Sequence, residues 1–137
     1  MTNTSLAASY IVKARKRLKA LEVLFAEEAY SDVVREAQEI VELALKAALR
    51  VVGVDPPKIH DVGRMIDEHR DRFPEAVAAA TPRLVEISAW LRKEREFAFY
   101  GDIDFIPTEQ YTRAQAERAL EDARFVVDVV GRLPMSG

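Results

Sequence analysis

The chain has 137 residues, a formal charge of −3 and no cysteine. That length suits one domain, spanning 1–137, with a single core and no room for a second. The missing cysteines exclude disulfide frameworks, thiolate zinc sites and cysteine nucleophiles. Apolar residues make up 49% and charged residues 31%, the balance of a globular protein. No run reaches the roughly 18 to 20 apolar residues of a membrane span, and Met1–Ser5 lacks the basic and apolar regions of a signal peptide. The expected compartment is therefore the cytoplasm, with no membrane partner.

Residues 6–29 carry Leu6, Tyr10, Ala14, Leu18, Leu21 and Phe25 at steps of three and four, which predicts a long first helix with one apolar side. Lys13, Arg15, Lys16, Arg17 and Lys19 crowd its middle, either as a solvated face or as a surface that tracks phosphates. Ser31 and Asp32 read as the start of a second helix, and Gly53 as its stop. Between them Val33, Ala37, Ile40, Val41, Ala44, Leu45, Ala48 and Val52 form a face broad enough to touch two neighbours. This should be the central helix.

Pro56 and Pro57 mark a loop, after which Asp61 caps a short helix with Val62, Met65, Ile66, His69 and Phe73 inward. Pro74 breaks or re-aims the chain. Thr81-Pro82 reads as the start of a fourth helix facing the core through Leu84, Ile87, Ser88 and Leu91 and running toward Tyr100-Gly101. Asp102 to Pro107 reads as a loop, and Thr112 with Gln115 as a capping box. Ala116, Leu120, Ala123, Val127 and Val130 then carry a last helix to Gly131. With no period-two alternation anywhere, the class is all-α, an antiparallel bundle of four to five helices.

Few residues suggest chemistry. Phosphate loops, nucleophile elbows and zinc-ligand spacings are absent, so no cofactor or metal is called for. His69 shares a face with Ile66 and Phe73 and reads as a core group, whereas His60, before a helix start, can cap, pack or approach an anion. Asp102 and Asp104 resemble cation ligands, but nothing downstream supplies further oxygens. The informative position is Arg95, where the stripe Leu84, Ser88, Leu91 puts a charge at a place the core expects to be apolar. A buried guanidinium needs a carboxylate, carbonyls or an anion. Glu42 or Glu39 of the central helix could supply the first, the helix could turn Arg95 outward, or phosphate could match its fork.

Ala37 to Leu49, then Ile59-His60-Asp61-Val62, then Arg95 to Asp102, with Tyr111-Thr112 opening a closing helix, together resemble the HEPN family. The resemblance spans nearly the whole chain, including the Glu42-to-Lys46 spacing. It implies an antiparallel bundle, usually a homodimer, often encoded beside a minimal nucleotidyltransferase and part of a toxin–antitoxin pair. Active members carry an arginine, four to six residues and a histidine, and two such motifs meet across the dimer to cleave RNA without metal. Arg95 matches the arginine, but the histidine positions hold Tyr100, Gly101 and Asp102. A tyrosine near pKa 10 is a poor base at neutral pH, though it can still hydrogen-bond or stack. The expected site is therefore Arg95, Tyr100 and Asp102, binding nucleotide or RNA phosphate with no catalytic residue. The alternative is a metal-independent endoribonuclease.

Overall fold

The computed structural model describes residues 3–56, 58, 61–100 and 111–135, with the side chains of Asn3 and of residues 95–100 outside the description. Five helices account for most of it: α1 (Asn3–Ala26), α2 (Tyr30–Val51), α3 (Val62–Glu68), α4 (Glu75–Tyr100) and α5 (Arg113–Gly131), with a 3-10 turn at Arg70–Arg72. No strand occurs among the described residues. The all-α expectation holds, with five helices among the described residues.

Side-chain contacts fix the helix directions. Arg17 meets Glu36 and Glu39 while Phe25 meets Tyr30, so α1 and α2 run antiparallel about a three-residue turn. Glu22 meets Arg124 and Phe25 meets Arg113, which makes α5 antiparallel to α1 and hence parallel to α2. Arg83 lies on Phe125 and Trp90 under Arg118, so α4 also runs against α5. Helix α2 sits at the centre, packed on each of the other four helices, and Asp32 is its only exposed residue. Val33, Ala37, Ile40, Ala44, Leu45 and Ala48 are wholly buried, and their alternation of small and large side chains lets neighbours approach from several sides.

Three boundaries differ from the sequence reading. Helix α1 stops at Ala26 and turns through Glu28, whose φ is 60°; of the predicted stripe Ala14 and Leu21 are wholly buried and Tyr10, Leu18 and Phe25 pack partly buried on the core, with Ala7 and Ile11 added to the inner face. Helix α2 starts at Tyr30 after Ala29, without a side-chain cap; the Ala29 carbonyl accepts the Val33 amide at 2.9 Å as the first helical bond, and Ser31 falls inside the first turn, where it is buried. Helix α4 begins at Glu75, not at Thr81-Pro82. Pro74 opens it by accepting the amides of Val77 and Ala78 at 3.0 and 2.9 Å. Pro82 is carried inside the helix on its exposed side, where water can reach the Ala78 carbonyl that Pro82 leaves without its amide. Thr81, completely buried, donates its hydroxyl back to the Val77 carbonyl at 3.2 Å.

The other punctuation is as predicted. Gly53, at φ 79°, follows the end of α2. Asp61 caps α3 by accepting the Arg64 amide, and Thr112 and Gln115 form the capping box of α5. His69 is half-buried at the C-terminal cap of α3 and is not an inward helical position. His60 lies outside the described residues.

Candidate functional site

The inward stripe of α4 is where the sequence placed it: Leu84 and Leu91 are wholly buried and Ser88 nearly so. Continuing that stripe by one turn reaches the α4 segment that carries Arg95 and Tyr100. The side chains of these two residues lie outside the description, and Asp102 lies outside the described residues altogether. The turns of α4 before them form one wall of a cleft.

That cleft is small and polar and lies between α2 and α4, lined by Gln38, Val41, Glu42, Val62, Ser88, Leu91 and Arg92. Its cavity of about 10 Å³ is the size of one water molecule. Gln38 is only 5% exposed and donates its Nε2 to Glu42 Oε2 at 3.1 Å, while its Oε1 is buried without a partner. A buried carbonyl oxygen lacking a donor is costly, so this acceptor is available to a donor entering the cleft. Glu42 also faces Lys46 Nζ at 3.3 Å, and Glu39 accepts Arg17 Nη2 at 2.6 Å. Both carboxylates suggested for Arg95 thus have cations of their own.

The far side of the cleft is fixed by Asp61, which caps α3 and also faces Arg92 Nη1 at 3.4 Å. Helix α3 can lie this close because Gly63 has no side chain: a Cβ there would stand 2.8 Å from Ser88 Cβ. Immediately before Arg95, the backbone carbonyl of Glu94 accepts the buried Tyr111 hydroxyl at 2.6 Å, which ties the start of α5 to the end of α4. Burial, and then the Glu94 charge, push the Tyr111 pKa above its ordinary value, so it remains a protonated donor at neutral pH.

Sequence reasoning missed Gln38, Arg92 and Tyr111. Tyr111 carried a signal, an aromatic residue directly before a capping box, whereas Gln38 on a broad apolar face could have been found only by asking what a lone amide does there. The five-cation stretch of α1 also resolves in part. Arg17 is spent on Glu36 and Glu39, whose hydrogen bonds and charges raise its pKa against the opposing effect of burial. Lys13, Arg15, Lys16 and Lys19 remain exposed.

Among the described residues the chain is a bundle of five helices packed around α2, with a small polar cleft between α2 and α4. A model of the HEPN domain matches residues 7–133, and the chain belongs to the HEPN domain family. It is 28% identical over 134 residues, 93% of this chain and 88% of its relative, to a Methanocaldococcus jannaschii protein named "Putative toxin MJ1304". No solved structure matches the chain. No helix among the described residues is long and apolar enough to cross a membrane.

Proposed function

We propose that this HEPN-domain protein is a nucleotide- or RNA-phosphate-binding module that works as a homodimer, pairs with a minimal nucleotidyltransferase and belongs to a toxin–antitoxin system. The observation that carries the reading is the buried stripe Leu84, Ser88, Leu91, whose next position on α4 is Arg95. Arg95, Tyr100 and Asp102 form the proposed site. The name of the archaeal relative supports the toxin context.

Binding is favoured over cleavage because no histidine follows Arg95 at positions 100, 101 or 102. Metal-free RNA cleavage needs a group that both accepts and donates protons near neutral pH, and arginine and tyrosine do so only with large pKa shifts. The test measures binding and cleavage of a single-stranded RNA under chelator by wild type, Arg95→Ala and Tyr100→His. Arg95→Ala should weaken binding about tenfold, the size expected for one charge-assisted phosphate contact. Wild type should leave the RNA intact, with Tyr100→His gaining activity. Robust wild-type cleavage abolished by Arg95→Ala would establish the endoribonuclease instead.

A further inference from the structure

Helix α1 carries two seams. The inward one, Ala7, Ile11, Ala14 and Leu21, is buried. On the opposite side Ser9, Val12, Lys16, Lys19, Val23 and Ala26 follow one another at steps of three and four, the spacing of a coiled-coil seam, and all six are exposed. The outer seam is about 26 Å long at 1.5 Å per residue. Val12 and Val23, 49% and 61% accessible, are the exposed large hydrophobic residues of the described structure, and both lie on it. Single exposed valines are ordinary. Two that share one helical line, with lysines between them, are a pattern.

The charge around the seam is one-sided. The chain has 23 carboxylates, and none precedes Glu22, whereas five cations fall between Lys13 and Lys19. Arg17 turns inward to Glu36 and Glu39, and Glu22 is held by Arg124 at 2.9 Å. Lys16 and Lys19 thus stand at the centre of the seam with Lys13 beside them, and the one acidic residue of α1, Glu22 at i+3 from Lys19, is turned to Arg124.

The order of residues decides what can cover this face. In an antiparallel pairing with a second copy of α1, Val12 would face Val23, which is favourable, but Lys16 would face Lys19 twice, which is repulsive. A second copy is therefore disfavoured by the two lysines alone. A nucleic acid strand would use the lysines but has nothing for the valines at both ends. We infer that the outer seam of α1 is the docking surface for a helix of a different protein, one that presents apolar side chains opposite Val12 and Val23 and carboxylates opposite Lys16 and Lys19. Central lysines then act as the selector that excludes self-pairing and admits an acidic partner. The inference rests on the reading above only for the existence of a protein partner, and its test does not involve Arg95.

The test uses the protein itself as the acidic probe. The double variant Lys16→Glu/Lys19→Glu keeps both valines and places carboxylates at the centre of the seam. Mixed with wild type, it should form a species larger than the one either protein forms alone, homodimer included, by sedimentation velocity, with affinity about tenfold or more above any further association of those species with themselves, weakening as salt is raised. Val12→Asp/Val23→Asp in the wild-type partner should abolish the mixed species while leaving its helical circular dichroism unchanged, because both positions are exposed. A mixture that sediments as its two components overturns the inference. So does a mixed species that survives the valine substitutions, which would reduce the effect to charge attraction. Binding of a 12-nucleotide RNA that the double variant loses, without any mixed species, assigns the face to nucleic acid and likewise overturns it. Loss of RNA binding in Arg95→Ala alone bears on the proposed site and leaves this surface untouched.

Discussion

Helix α5 is held on its two sides by different physics. Toward α2 it offers Ala116, Ala119, Ala123, Val126, Val127 and Val130, all nearly or wholly buried, and the neighbouring helix answers with alanine, valine, isoleucine and leucine. Toward α4 it offers charge and rings. Arg118 lies 3.8 Å over Trp90 and Arg83 lies 3.9 Å over Phe125, while Asp122, 8% exposed, stands 3.6 Å from Arg118 and 4.0 Å from Arg83. The first contact depends on area removed from water and is indifferent to salt. The second depends on partly exposed ion pairs and cation–π stacking, each contributing little and responding to solution conditions. The helix that carries Arg95 is thus joined to α5 by the more adjustable of the two interfaces.

The contrast is broken most directly at the aliphatic centre. Leu45 is wholly buried on α2, and Leu45→Ala should cost about 2–5 kcal/mol through lost transfer energy and a residual cavity. The measurement is urea denaturation at low and high salt, and the loss should be the same in both. A salt-dependent loss would mean that α2 is not the apolar hub described.

Tyr111→Phe probes the polar join. It removes the hydroxyl that donates to the Glu94 carbonyl while keeping the ring, and should cost about 1 kcal/mol. Hydrogen exchange localises the effect: amides near Glu94 should lose protection before those of α2. Uniform loss across the bundle would show that the end of α4 has no local stability of its own.

What could be read in advance follows the same division. Period and caps revealed each of the described helices, the hub role of α2, and the Asp61 and Thr112 caps, because apolar spacing and side-chain caps are local properties of sequence. Thr81-Pro82 misled because a proline inside a helix looks like one at its start until the Pro74 carbonyl is seen accepting the Val77 and Ala78 amides. Ser31 misled because α2 starts one residue before it, at Tyr30, with Ala29 in the N-cap position and no side-chain acceptor there, so Ser31 falls inside the first turn. Arg95 stood out as a charge on an apolar stripe. The Arg118–Asp122 pair has the i,i+4 spacing of a local helix pair, but the Gln38 acceptor and the Arg83–Asp122 pairing were not legible, because each depends on which side chains two distant helices bring opposite one another.

The smallest expected effect tests the sign of the balance at Asp122. Burial raises its pKa, Arg118 and then Arg83 lower it, Glu86 raises it, and the net result lies above the ordinary carboxylate value. The fold therefore prefers the protonated acid. Its contribution to stability is fully present below the unfolded pKa, near 3.8, and is lost as pH rises through the higher folded pKa. Comparing wild type with Asp122→Asn by denaturation between acid and neutral pH isolates this group from the other carboxylates. The wild-type stability minus that of the variant should decline across that window and then stay flat, and Asp122→Asn should not destabilise the protein at neutral pH. If the difference instead rises with pH, the two arginines outweigh burial, and the α4–α5 seam is an ion-pair clamp that acid would open.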